Sequence, residues 1–350
     1  MFPLFGLQMQ KNVLIAFTVN FVTGVCLMIS SNDFSKKQIL LLVASQGDKL
    51  SFQNDNIIVK DKSGHVKHQS TCYRLFAVFV LGNLSITTGL IQRAKKFGFS
   101  IVLFSTTFKV YQILGGRTAG NTILNERQYL YKENDIGRQI TLNKMINQQY
   151  ALKQIRYKNE YIVESIENIS GYIDNIKETE SLQQIMGFEG NTARVYFKAF
   201  FNNVVWNGRK PRTKIDMINS LLDIGYTILF NFIEAIISIY GFDLYVGVLH
   251  RNFYMRKSLV CDLVEPFRVI VDIQTKKSIN LKQFKEEDFK IFNQRWELSW
   301  DKSAEYTSIF LKAILEYKDD IFRYIQSYYR CFMKQLPIEQ YPMFLLEEHT

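Results

Sequence analysis

The chain has 350 residues, 47% hydrophobic and 22% charged, enough apolar surface to bury a core and enough length for two domains, which excludes a disordered tail. A formal net charge of +10 and a pI near 9.2 call for a polyanionic partner, because each lysine or arginine that displaces a condensed counterion from phosphate adds affinity. Nucleic acid ranks ahead of an anionic membrane surface, and four scattered cysteines without a CxxC pair (Cys26, Cys72, Cys261, Cys331) exclude a disulfide framework and fit a reducing cytoplasm.

Residues 1–30 form an apolar extension whose only charge is Lys11, and the run Val13 to Ile29 is interrupted by Thr18, Asn20, Thr23 and Gly24. It reads as a signal-peptide core, as a poor membrane span somewhat short of the about 20 residues a span needs, or as sequence ahead of a true start at Met28. The last is preferred, since export would part a strongly basic body from nucleic acid, and no membrane association is expected. From Gln38 to Leu114 the pattern is short and β-like. QILLLVA is followed by KLSFQ, the turn Asn54-Asp55-Asn56, IIVKD, the turn Lys62-Ser63-Gly64 and HVKHQ, which predicts hairpins. Leu75 to Leu81 is a continuous apolar run suited to a strand buried on both faces. Thr88 then caps a short helix with Leu90, Ile91, Ala94 and Phe97 on one face and Gly98 at its end. IVLFS (101–105) and KVYQIL (109–114) are two further strands.

Gly115-Gly116 marks a change of composition, after which helical periodicity takes over. The expected fold is therefore α+β: a small N-terminal β-rich domain, 36–116, with hairpins and one short helix, followed by a larger all-α domain, 117–340. Its strongest helix runs from Asp216 to Tyr240, with Leu221, Leu222, Gly225, Leu229, Phe232, Ile233, Ile236 and Ile237 in a broad stripe and Gly241 closing it. Another helix is expected from Ser303 to Lys334, one from Arg256 to Glu265, and a surface loop with a helix start from Thr275 to Lys290.

Two blocks carry candidate chemistry. In GFEGNTARVYF, Glu189 precedes an amphipathic run in which Ala193, Phe197 and Phe200 share a face, so its carboxylate is expected near a helix N-terminus. A glutamate there is also an ordinary helix-dipole partner. In GFDLYVGVLHRNFYMRKSLVCDLVEPFR, His250 ends an apolar stretch, and Asp262 and Glu265, three residues apart, share a helix face. Asp262 lies in so apolar a segment that an uncompensated charge would be costly. Arg256, Arg268 or a divalent cation would each compensate it, and the spacing does not choose among them.

The segments GFEGNTARVYF, RKPRTKIDMINSLLDIGYTILFNFIEAI, GFDLYVGVLH and KSLVCDLVEPFR, in that order, resemble the successive motifs of the CRISPR-associated Cas-one family, the spacer integrase of prokaryotic adaptive immunity. The resemblance spans about Gln38 to Leu336, and the N-terminal stretch looks most like members from type V systems. It implies a β domain joined to a helical catalytic domain, and a metal-dependent DNA endonuclease/integrase that joins prespacer 3′-hydroxyl ends to the repeat array by transesterification. It further implies that Glu189, His250 and Glu265 are the catalytic residues and hold Mg²⁺ or Mn²⁺, with Asp262 behind them. Implied partners are double-stranded DNA, a second copy in a homodimer, and the small Cas-two protein, all in the cytoplasm. Arg209, Lys210, Arg212, Lys214, Arg251, Arg256, Lys257 and Arg268, with Lys276, Lys277, Lys282 and Lys285, are candidate phosphate contacts, though each cluster reads equally as a solvated face. Asn219 and Tyr226 either face the site or serve packing. A noncatalytic DNA-binding scaffold and a generic metal-dependent nuclease are the alternatives.

Overall fold

The computed structural model describes residues 36–44, 47–82, 84–104, 110–115, 121–204, 206, 208–250 and 254–349. The apolar extension and Met28 lie outside them. β1 (Gln38–Val43), β5 (Leu75–Leu81), β6 (Ser100–Phe104) and β7 (Val110–Gly115) form one sheet in the order β1-β5-β6-β7, parallel except for the β6–β7 pair. β2 (Lys49–Gln53), β3 (Asn56–Lys60) and β4 (Val66–Thr71) form a separate antiparallel sheet. Asn54 and Asp55, both at positive φ, make the tight β2–β3 turn expected from sequence. α1 (Thr88–Phe97) covers β6 and β7, but its cap is Thr87, one residue before the predicted position, whose Oγ1 accepts from the Leu90 amide.

All seven residues of β5 are buried, because its two faces serve different cores. Val78 and Val80 pack with Leu40, Leu42, Leu50, Ile57, Val59, Leu90 and Ile101 between the sheets and α1, while Phe79 and Leu81, with Ile39, Leu41 and Val102, face the helices. The period of two in strand side chains thus splits an unbroken apolar run between two interiors.

The rest is mostly helical: α2 (Thr122–Leu130), α3 (Asp135–Lys153), α4 (Glu160–Lys177), α5 (Leu182–Phe200), α6 (Met217–Tyr240), α7 (Ser258–Val264), α8 (Arg268–Asn280), α9 (Trp300–Glu316) and α10 (Lys318–Lys334). α6 is capped by Asp216, which accepts from the Asn219 amide, and ends on left-handed Gly241. By length and composition α6 could cross a membrane, yet most of it is buried among the other helices. Its Gly225 permits that packing, since a Cβ there would lie 2.4 Å from Val271 and 2.9 Å from Phe310.

Three local expectations are corrected. The helix predicted from Ser303 to Lys334 is two helices separated at Tyr317. The expected Thr275–Lys290 loop begins as the last turns of α8, and its end opens a hairpin of β8 (Phe289–Phe292) and β9 (Arg295–Leu298). Glu189 is not at a helix N-terminus: α5 starts at Leu182, after Ser181, and runs through Gly187 and Gly190, placing Glu189 mid-helix.

Candidate metal centre and nucleic-acid interface

α7 continues through a 3-10 turn at Glu265–Phe267 into α8, and Pro266, which has no amide hydrogen, sits in that turn. Asp262, wholly buried, accepts four hydrogen bonds. Its Oδ2 takes the amides of Val248 (2.6 Å) and Leu249 (3.0 Å), and its Oδ1 takes the His250 amide (3.0 Å) and His250 Nδ1 (2.7 Å). The charge that the sequence left to an arginine or a metal is therefore compensated by backbone amides and an imidazole. With Nδ1 donating, a neutral His250 carries its free lone pair on Nε2. Gly247 makes the close approach possible, because a Cβ there would stand 2.6 Å from Asp262 Oδ2 and 2.8 Å from Ser258 Cβ.

Glu265, 3% exposed, lies across from Glu189, 17% exposed. Between them stands Lys144 of α3, whose ammonium is 2.5 Å from Glu189 Oε1 and 2.7 Å from Glu265 Oε2. Arg268 Nε is 3.2 Å from Glu265 Oε1. Burial alone would raise the Glu265 pKa, but Arg268 and Lys144 outweigh it and hold the carboxyl at about 2, with His250 adding in the same direction. Burial likewise opposes the Lys144 charge, and the two glutamates override it to raise that pKa. α3 is fixed alongside: Asn147 Nδ2 donates to the carbonyls of Pro266 (3.0 Å) and Phe344 (2.8 Å), and Asn143 donates to Phe344.

Sequence reasoning missed Lys144 and the buried amides of α3. Asn143, Lys144 and Asn147 sit three and four apart, the spacing of one helical face, but polar residues in that pattern ordinarily mark a solvated surface.

Arg209 Nη2 pairs with Asp223 at 2.6 Å, and its guanidinium lies over one side of the Tyr226 ring at 5.3 Å, while Arg268 lies over the same ring at 4.7 Å. The Tyr226 hydroxyl donates to buried Asp272, which also accepts from Tyr196 at 3.1 Å. Burial raises the Asp272 pKa to about 6, against the opposing pull of these hydroxyls and of Arg268 and Arg209. Asn219 donates to the Asp216 carboxylate at 2.7 Å and holds the basic loop, accepting from the Lys210 amide (2.7 Å) and Arg209 and donating to the Gly208 carbonyl. Lys210 and Arg212 are exposed, Lys214 and Arg256 half-buried. Lys257 donates to both oxygens of buried Glu234 at 2.7 Å, and Lys276 donates to the Phe200 carbonyl. Lys277, Lys282 and Lys285 are exposed. Arg251 lies outside the described residues.

The structure thus brings Glu189 and Glu265 together on one cation, and His250 lies within electrostatic reach of Glu265. Among the described residues, no three His, Cys, Asp or Glu side chains close around one point as a finished metal site does, and the ammonium of Lys144 stands where the two carboxylates converge.

A β domain leading into a helical domain matches the Cas1 fold. A casposase bound to integration product superposes with a TM-score of 0.71 at 19% identity, covering 87% of this chain and 94% of that one. A Cas1 protein from Thermotoga maritima gives 0.71 at 17%, over 84% and 97%. The chain belongs to the family described as CRISPR associated protein Cas1, whose model matches residues 41–312. Among curated relatives, a CRISPR-associated endonuclease Cas1 of Thermodesulfovibrio yellowstonii is 30% identical over 208 residues, 56% of this chain and 65% of that protein. One from Rhodospirillum rubrum is 27% identical over 270 residues, 71% and 78% of the two chains. The matched stretch thus spans just under two thirds of the first relative's length.

Proposed function

We propose that this chain is a metal-dependent DNA endonuclease/integrase of CRISPR adaptation that joins prespacer 3′-hydroxyl ends to the repeat array by transesterification. The observation that carries this reading is the convergence of Glu189 and Glu265 on a single cationic position, with His250 locked by Asp262 and within electrostatic reach of Glu265. The donor set fits a hard divalent ion: two carboxylates, plus an imidazole Nε2 that suits Mn²⁺ as well as Mg²⁺. Bound by Glu189, His250 and Glu265, such an ion would neutralise charge on the scissile phosphodiester and favour ionisation of the attacking hydroxyl.

The chain's own groups do the rest. Asp262 fixes the imidazole tautomer and orientation. Arg268, held by Glu265 and Tyr226, keeps a guanidinium beside the site. Arg209, Lys210, Arg212, Lys214, Arg251 and Arg256 supply phosphate contacts, whereas Lys257, engaged by Glu234, contributes field more than a free donor. Double-stranded DNA, a homodimer and the small Cas2 protein are the proposed partners, in the cytoplasm. A Cas6-RT-Cas1–Cas2 complex is among the solved fold relatives, with a TM-score of 0.73 at 20% identity over 87% of this chain and 36% of that one, and it supports the last of these.

The test combines the protein, its small partner, a repeat-bearing plasmid and prespacer DNA, with Mg²⁺, Mn²⁺ or chelator. Joined products are expected only with metal, and Glu189→Gln and His250→Ala are expected to bind DNA without joining it. Joining in chelator, or by Glu189→Gln, overturns the reading. Metal-dependent cutting without joining favours a generic nuclease.

A further inference from the structure

We propose that Lys144 is an internal counter-ion that occupies the metal position in the metal-free protein and must be displaced before a divalent cation binds. The inference rests on the reading of Glu189 and Glu265 as ligands. Three independent elements meet at this point: α3 brings the ammonium, α5 brings Glu189, and the turn after α7 brings Glu265. Lys144 is 9% exposed and rides on a helix pinned by Asn143 and Asn147 to the carbonyls of Phe344 and Pro266, so its stem is aimed at the carboxylates by the framework.

Charge makes the site exclusive. Two carboxylates face two cations, Lys144 and Arg268, so the cluster is neutral as it stands. A divalent ion on the same oxygens would sit within a few ångströms of the ammonium, in a partly desolvated pocket where like charges repel strongly. Arg268 approaches Glu265 from its other oxygen and does not contend for that place. The lysine stem has four rotatable carbons and withdraws without moving the backbone. Lys144 therefore prevents repulsion between two nearly buried carboxylates when no metal is present, and it weakens metal binding by competing for the same oxygens. It is a positioning residue for the pair.

The test is Mn²⁺ binding to the whole, DNA-free protein, read by electron paramagnetic resonance of free Mn²⁺, together with the thermal midpoint in chelator and in Mn²⁺. Lys144→Met is expected to bind Mn²⁺ more tightly by about tenfold or more, the scale of one charged hydrogen bond removed from competition. It is also expected to have a lower midpoint in chelator and a larger rise on adding Mn²⁺. Lys144→Arg keeps the charge and its grip, so it covers the case in which the methionine variant does not fold. Its Mn²⁺ affinity should equal the parent's or fall below it. Unchanged or weaker Mn²⁺ binding by Lys144→Met, or tighter binding by Lys144→Arg, overturns the proposal. Glu189→Gln separates the two levels: if it leaves parental Mn²⁺ binding intact, the assignment of the ligands fails and this inference with it.

Discussion

Replacing Asp262 by asparagine keeps the shape of the side chain and removes its charge. Both carboxylate oxygens are fully used, each by two donors. An amide has one oxygen and one NH₂ group, so in either orientation it can accept from only one pair, and its NH₂ must face two other donors. Two charged hydrogen bonds are lost and two donors are left opposed. At about 1.5–3 kcal/mol for each hydrogen bond to a charged group, the cost is about 3–6 kcal/mol. Urea unfolding followed by circular dichroism measures it. Where the amide turns its NH₂ toward the His250 pair, the change also releases Nδ1, and ¹⁵N NMR of the imidazole, assigned by comparison with His250→Gln, then moves from the Nδ1-protonated tautomer to a mixture. If Asp262→Asn lies within about 1 kcal/mol of the parent and the imidazole keeps its proton on Nδ1, Asp262 does not anchor this loop.

Gly247→Ala should disturb the same anchor from the other side, because the added methyl would lie 2.6 Å from Asp262 Oδ2 and 2.8 Å from Ser258 Cβ. A loss of about 1–3 kcal/mol in urea unfolding is expected, and parental stability would show that the loop yields freely. For Asp272, the folded pKa of about 6 lies above the ordinary 3.8, so the folded protein binds the proton more tightly than the unfolded chain. That contribution is fully present below about pH 4 and is lost as pH rises through about 6. Asp272→Asn lacks it, so its stability relative to the parent should improve by up to roughly 3 kcal/mol between pH 4 and 7. A stability difference that stays flat across those pH values contradicts the assignment.

Where a local rule and the tertiary environment agree, the sequence was legible. The unbroken run Leu75–Leu81 became a strand buried on both faces, and Asp216 and Gly241 bound the longest helix as capping chemistry requires. The misses have physical causes. The amphipathic run after Glu189 suggested a helix starting there, but buried Ile185, Thr192 and Tyr196 bind that face of α5 to the core, and the helix runs through Gly187 and Gly190. The β8–β9 turn is Asn293-Gln294, both at positive φ, and without a glycine it gave no hairpin signal. The break at Tyr317 has neither proline nor glycine, so only packing marks it. At the site, Asp262's need for a partner was visible, but its partners are three amides and an imidazole set by a loop conformation that residue types do not encode. Lys144 was invisible because its role depends on two carboxylates brought from 45 and 121 residues away along the chain.

The α7–α8 segment concentrates this chemistry on residues three or four apart along a continuing helical path. Asp262, Glu265, Arg268 and Asp272 draw their partners from four parts of the fold: the His250 loop, Lys144 of α3, Tyr226 of α6 (which serves both Arg268 and Asp272), and Tyr196 of α5. A helix meant only to pack would carry apolar residues there, and replacing buried ion pairs with such residues is often neutral or stabilising. The stripe accepts that disadvantage and in return fixes four elements relative to one another at the point where the cation sits. Neighbours on it share partners, so their substitutions should not be additive. Arg268 touches both Glu265 and the Tyr226 ring, and a cycle pairing Glu265→Gln with Tyr226→Leu, which removes that ring, should show a coupling of about 0.5 kcal/mol or more. Additive losses would mean that the guanidinium does not transmit between them.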